Sequence, residues 1–380
     1  MRYAEVSVHL FVFGDALLEK RHNFGVRMRQ VLNVLVLGVG GNVSQGILKA
    51  LAVSKIPCRV IGACVNSLSF GLYTVDAAYI SPLASDPAFL DWLIQLCRAE
   101  HVHAILSGVE PVLTILAGEV ERIQAETGAI CIVSTLECLA VGNDKLLTSQ
   151  WLRDKGFAFP ETVDAADSAG VDALVRARGY PLIAKPRYGK GAQGVFELGS
   201  DEELRSAMAR DAYVIQEYLG DPCQEYTVGC FSDRESRVRG ALVMRRELLE
   251  GTTYRAEAGY FPDVREAAIR IAEALGPMGP CNIQIRRHRG RAVCFEINVR
   301  FSGTTPIRAR IGFNDVEAAL LHYVLGQPAA DLPLITKGIA LRYWNEMYVS
   351  EEAKVRLEES KKLEEPKSYN PLIENYGMGR

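Results

Sequence analysis

The chain has 380 residues, 48% of them hydrophobic and 23% charged, with a net charge of −3. That length holds two or three domains and a sizeable core. The near balance of charge leaves no footprint for nucleic acid or an anionic membrane, and no apolar run nears the ~20 residues that cross a bilayer. Nine cysteines occur without a C-x-x-C pair, and several (Cys58, Cys230, Cys281, Cys294) fall inside strand-like runs. They read as buried, reduced thiols of a cytoplasmic protein, not as a disulfide or zinc framework.

Residues 1–30 stand apart, with an apolar run at 6–13 followed by Lys20, Arg21, Arg27 and Arg29. No charged leader precedes the run and no small-residue cleavage site follows it, so the segment reads as a peripheral extension. Residues 31–140 alternate strand and helix, the pattern of a parallel sheet covered on both faces. Strands are expected at 31–37, 59–64, 77–80, 104–107 and 129–133, with helices at 44–53, 87–100 and 111–117. Gly38-Val39-Gly40-Gly41 turns from the first strand into the first helix. It fails as a dinucleotide fingerprint, because Val43 stands where the third glycine belongs and the second strand ends in Val65-Asn66 instead of an acid.

A second block, 141–218, opens with a helix at 146–155. It continues as a strand through Ala184-Lys185-Pro186, a glycine-rich turn at 189–194, a strand at 195–198 and a helix begun by the capping box Ser200/Glu203. The strand 213–219 closes it. The third block, 219–330, reads as mostly antiparallel, with strands at 225–231 and 239–246 and a helix at 264–275. Residues 331–380 form a C-terminal segment, of which 350–380 reads as a charged, loosely packed tail.

The chemistry concentrates in two places. Cys281-Asn282-Ile283-Gln284-Ile285 and Phe295-Glu296-Ile297-Asn298-Val299-Arg300 are apolar strands joined by a tight turn, His288-Arg289-Gly290. Side chains alternate along a strand, so Glu296 and Asn298 share a face that Gln284 can meet from the neighbouring strand. Three oxygen ligands without His or Cys suit a hard cation, Mg²⁺ first and Mn²⁺ as the alternative. The glycine turn Gly189-Lys190-Gly191-Ala192-Gln193-Gly194 frees backbone N–H groups for anionic phosphates, directly after the ammonium of Lys185. It is not a Walker loop, since G-x-x-x-x-G-K-[ST] is absent.

The ordered set resembles the ATP-grasp superfamily, on the branch of the carbamoyl phosphate synthetase large subunit and the carboxylate–amine ligases. That set is Lys145, Ala184-Lys185-Pro186 with its glycine loop, Gln216-Glu217-Tyr218-Leu219, Glu225-Tyr226-Thr227-Val228-Gly229, and Gln284, Glu296 and Asn298. It spans about 31–325. The resemblance implies an N-terminal parallel α/β domain at 31–140 followed by a two-subdomain ATP-grasp fold, the lid subdomain at 141–218 and the metal-bearing subdomain at 219–330. It further implies that Lys145, Lys185 and the loop glycines Gly189, Gly191 and Gly194 hold phosphates. By the same resemblance, the backbone at Gln216, Glu217 and Leu219 meets adenine and Glu225 meets the ribose. Gln284, Glu296 and Asn298 would hold Mg²⁺, and Arg300, with Lys185, would act at the transferred phosphate.

The expected activity is ATP-dependent joining of a small-molecule carboxylate to an amine (or related nucleophile) through an acyl phosphate, with bicarbonate phosphorylation or non-catalytic ATP binding as the alternatives. The second arginine and the proline usual after the metal Asn are missing at Val299–Gly303, which counts against bicarbonate. A homodimer is compatible with this reading. Arg308 and Arg310, two apart, would share a face on an extended segment beside the metal strand and could anchor the carboxylate, with Arg255 next; pairing with Asp315 or Glu317 is the other account. Arg245 and Arg246 are open between substrate contact and solvent-facing strand positions. Glu110 lies where open α/β sheets bind ligands, or is simply an acid at a helix N-terminus.

Overall fold

The computed structural model describes residues 31–189, 191, 193–221 and 224–373; the readings made for 1–30 and 374–380 lie outside them. The first sheet is parallel: β1 (Leu32–Leu37), β2 (Cys58–Cys64), β3 (Ala77–Ile80), β4 (Ala104–Ser107) and β5 (Ile130–Cys131), in the order β3-β2-β1-β4-β5. β1 is an unbroken apolar run because both of its faces are buried: Leu35 and Leu37 enter one core, Val34 and Val36 the other. The strand order reverses between β1 and β4. The turns after these two strands, Gly38–Gly41 and Gly108, therefore open into one crevice. Gly108 permits the close approach, since a Cβ there would lie 2.4 Å from Val43 Cβ. The helices Val120–Thr127 and Leu136–Asn143 were not anticipated.

The second sheet is β6 (Thr162–Asp164), β7 (Leu182–Pro186), β8 (Phe196–Leu198) and β9 (Tyr213–Glu217), antiparallel in the order β6-β9-β7-β8. Leu182 and Leu198 pack against Leu174 and Leu204 of two helices to form a small separate core. Ser200 caps the second of these helices by accepting from Glu203 N at 3.3 Å, and Glu203 returns by accepting from Gly199 N.

The third sheet is wholly antiparallel. It comprises β10 (Glu225–Ser232), β11 (Val238–Leu249), β12 (Thr252–Ala258), β13 (Gly279–His288), β14 (Arg291–Asn298) and β15 (Gly338–Leu341), in the order β14-β13-β10-β11-β12-β15. The helix Pro262–Leu275 covers part of one face, burying Val264, Ala268 and Ile271 against Tyr226, Val228 and Ile283.

The C-terminal residues correct the expectation of a loose tail. After β16 (Met347–Tyr348), the helix Glu351–Ser360 leads into β17 (Lys362–Glu364), which pairs antiparallel with β3 and extends the first sheet; β18 (Leu372–Ile373) pairs with β16. Ala353, Leu357 and Leu363 are almost fully buried in the core on one face of that sheet. Lys362 Nζ lies 3.0 Å from Glu100 Oε1 and Arg59 reaches Glu100 Oε2 at 2.7 Å, while the Tyr79 hydroxyl also donates to Glu100. The segment closes an edge that would otherwise expose unpaired backbone.

Candidate active site

The hairpin of β13 and β14 turns on Arg289 and Gly290, both with positive φ (50° and 73°), as a two-residue type I′ turn requires. The register sets Gln284 opposite Glu296 and Asn282 opposite Asn298, with a bulge between Gln284 and Ile285. The bulge brings Phe295 as well as Glu296 to the cleft wall. Glu296 Oε1 accepts from Gln284 Nε2 at 2.9 Å and from Asn298 Nδ2 at 2.8 Å. Arg246 Nη2 donates to Gln284 Oε1 at 2.6 Å, and Arg300 Nη2 donates to Asn298 Oδ1 at 2.7 Å. The three expected ligands thus converge on one carboxylate. A lone carboxylate flanked by two amides is an oxygen set for a hard cation, and it fits Mg²⁺ shared with phosphates.

Facing this hairpin are two lysines, Lys185 from β7 and Lys145 at the start of the helix Lys145–Asp154. Lys185, at the end of β7, is 6% exposed and donates from Nζ to Gln216 Oε1 at 2.8 Å. Burial drives its pKa down to about 8; Glu296 opposes the shift, while Lys145 and Arg286 add to it. Lys145 is lowered too, again by burial first, and its Nζ donates to Gly189 O at 2.8 Å. Gly189, Gly191 and Gly194 all have positive φ, so this turn needs glycine at each. A Cβ on Gly251, in the β11–β12 turn, would lie 2.0 Å from Gly191 O; the loop rests directly on that hairpin. Ile183, Val195, Leu219, Leu248 and Phe295 line the same cleft. They give it apolar walls for a flat ring beside a cationic floor.

Other expected residues fall differently. Glu225 is 4% exposed and lines the cleft, but both its oxygens are engaged, Oε1 by Arg246 and Oε2 by Arg286, each at 2.8 Å. The Glu217 side chain is held by Arg178 at 3.4 Å and by the Glu161 amide, and the Glu217 N–H donates to Glu161 O at 2.8 Å. Glu110 lies 2.7 Å from Arg300 and so joins the first domain to the end of β14.

The carboxylate anchors are corrected. Residues Thr305–Arg310 form a helix, not an extended segment, so Arg308 and Arg310 point about 200° apart. Arg308 is fully buried and paired with the equally buried Asp315, and it also donates to Ser302, Thr304 and Thr305 hydroxyls. It buttresses the loop after β14. Arg310 is exposed, and Arg255 pairs at the surface with Glu247 at 3.0 Å.

Sequence reading left Arg246 undecided and missed Arg286 and Phe295. Alternation carried the signal for Arg286, which follows Gln284 by two on β13. A second cavity adjoins the first and shares Arg246, Gln284 and Glu296 with it. Its far side is the crevice at the β1/β4 switch point, with Gly41, Asn42, Ser44 and Gly108, and its floor is Thr227, Asn282, Ser302 and Thr304. It is hydroxyl-rich, with Val43 and Val109 as its aliphatic side chains.

Residues 209–347 match the family model described as ATP-grasp in the biosynthetic pathway with Ter operon, and residues 34–132 match the PylC-like N-terminal domain. Over residues 209–347 the chain is thus similar to an ATP-grasp family. It is 24% identical over 303 residues to the carbamoyl phosphate synthase large chain of Neisseria meningitidis serogroup B, covering 72% of this chain and 27% of that protein. The chain thus spans about a quarter of the length of that curated relative. Its fold is similar to that of N5-carboxyaminoimidazole synthetase from Staphylococcus aureus complexed with ADP, with a TM-score of 0.65, 15% identity and coverage of 88% and 86% of the two chains. It is also similar to the biotin carboxylase domain dimer of Hydrogenobacter thermophilus 2-oxoglutarate carboxylase, in complex with MgADP, ADP and bicarbonate. There the TM-score is 0.62 at 15% identity, covering 80% and 73%.

Proposed function

We propose that the protein is an ATP-dependent ligase that activates a small-molecule carboxylate as an acyl phosphate and joins it to an amine. The observation that carries this reading is the shared wall of the two cavities. Glu296 and Gln284 face both the lysine-lined cleft and the hydroxyl-rich cavity, so a γ-phosphate in one lies beside a carboxylate in the other. A carboxylate is a poor electrophile; transfer of the phosphoryl group to its oxygen supplies a leaving group, which the amine then displaces. Lys145, Lys185 and the loop amides hold the phosphates of ATP, and the apolar walls with the 216–219 backbone hold its base. Mg²⁺ or Mn²⁺ on Gln284, Glu296 and Asn298 would neutralise phosphate charge. Arg300, held by Glu110, offsets charge at the transferred group. The loop resting on Gly251 excludes water from the mixed anhydride. The reading makes the protein a cytoplasmic enzyme with small-molecule substrates.

The test is phosphate release across a panel of carboxylates, bicarbonate included, crossed with amines, followed by mass spectrometry of the product. Glu296→Ala should abolish turnover by at least about a hundredfold while leaving the circular-dichroism spectrum and Tm near wild type. A Glu296→Ala protein that turns over normally would sink the reading.

A further inference from the structure

One edge of the third sheet has no strand partner among the described residues. β15 pairs with β12 and ends the strand order. The helix Pro262–Leu275 packs over β13, β10 and β11 on one face and leaves the outer positions of β12 and β15 uncovered. Pairing with β12 sets Ile339 beside Glu257 and Leu341 beside Arg255, both exposed, so Ile339 and Leu341 share the open face. By alternation Tyr343 joins them. These three are 76%, 68% and 67% exposed, and the next residue, Trp344, is 82% exposed. Isolated surface leucines are ordinary, but an apolar row along an unpaired strand edge is not. Edges are usually blunted by charge, proline or a bulge. Residues 338–344 contain no acid and no proline, and their one cation, Arg342, turns to the other face and donates to Gly303 O.

The geometry points to this edge as the docking site of a second copy of the chain, β15 against β15, antiparallel about a two-fold axis at Leu341. The backbone is self-complementary in this arrangement. Arg342 N donates inward to Tyr254 O at 2.9 Å, so the peptide groups of Ile339, Leu341 and Tyr343 face outward. A two-fold at Leu341 pairs Leu341 with itself and Ile339 with Tyr343 of the second copy, a β-branched residue against an aromatic one. The charges beside the row also suit a copy. Arg245 pairs with Glu257 at 2.6 Å and Arg255 with Glu247 at 3.0 Å, a neutral strip that brings two copies together without net repulsion.

The inference is independent of the chemistry in the cleft. It is tested by sedimentation velocity of the full chain from about 1 to about 200 µM, which brackets the micromolar affinity expected of a sub-standard interface area. Wild type should pass from monomer to dimer. Leu341→Lys and Leu341→Glu should each remain monomeric, because each sets like charges on the axis, whereas an equimolar mixture should recover a dimer. Circular dichroism and ATP binding of each variant alone should match wild type, since Leu341 lies outside both cavities. A wild type that is monomeric throughout, or a dimer untouched by both substitutions, overturns the proposal. So does a monomer whose Leu341 and Tyr343 amides resist hydrogen exchange at every concentration, which would assign the edge to another segment of the same chain.

Discussion

At the scale of the residue, the informative group is Lys185. Its ammonium is buried, and its pKa of about 8 lies well below that of an ordinary lysine. The unfolded chain keeps this proton to higher pH than the folded one, so the burial penalty is full below about 8 and is relieved as pH rises toward the ordinary lysine value. Stability attributable to Lys185 therefore increases across that window, while its attraction for phosphate disappears. The expected result is that kcat/KM for ATP falls as pH rises through about 8, approaching tenfold per unit, with kcat holding to higher pH because bound phosphate favours the charged lysine. A kcat/KM profile flat from pH 7 to 9.5 would remove Lys185 from phosphate binding. This residue was legible in the sequence, as were Gln284, Glu296 and Asn298, because period-two alternation fixes which side chains meet. Arg308 was not. Its role depends on whether Thr304-Thr305-Pro306 starts a helix, and a proline suits either a helix first turn or an extended segment. The companion signal was Gly229, mid-strand, where a Cβ would lie 2.4 Å from Arg308 Nε; a strand glycine marks close approach but does not say by what.

Among the elements, the glycine loop rests on the β11–β12 hairpin. Gly251 has a φ of +71°, and any side chain there would strike the Gly191 carbonyl. Gly251→Ala is expected to hold the loop off the hairpin and raise KM for ATP about tenfold, the equivalent of about 1.4 kcal/mol, with faster hydrogen exchange at 187–194. An unchanged KM and unchanged exchange would show that the loop closes without this contact. The parallel strands of the first sheet were legible because long apolar runs between helices have few other readings. β12 and β15 were not, since Thr252–Ala258 alternates charge with small residues and the four residues of β15 carry no turn signal of their own.

For the whole molecule, the decisive correction is the return of the C-terminal segment to the first sheet. Its helix shows just Ala353 and Leu357 as an apolar stripe, too narrow to stand out in a charged sequence, yet both are fully buried. Leu357→Ala should cost about 2–5 kcal/mol in urea unfolding, as for other buried leucines. A loss below about 0.5 kcal/mol would return the segment to the status of a tail.

The hydrogen bonds that run from Glu225 through Arg246, Gln284, Glu296, Asn298 and Arg300 to Glu110 have a thermodynamic consequence. On the proposed reading, both amide oxygens that a cation would need are occupied by guanidinium groups, and those groups also border the cavities proposed for the phosphates. A bare divalent ion must therefore displace two arginines, whereas an arriving triphosphate attracts them away. Metal and nucleotide should bind with positive linkage: titration calorimetry is expected to find Mg²⁺ affinity at least about tenfold greater in the presence of a non-hydrolysable ATP analogue than in its absence, beyond what the analogue contributes alone in solution. By reciprocity, the nucleotide should gain the same factor from the metal. Equal affinities would mean that the arginines yield their amides freely, and that order of arrival is left to concentration.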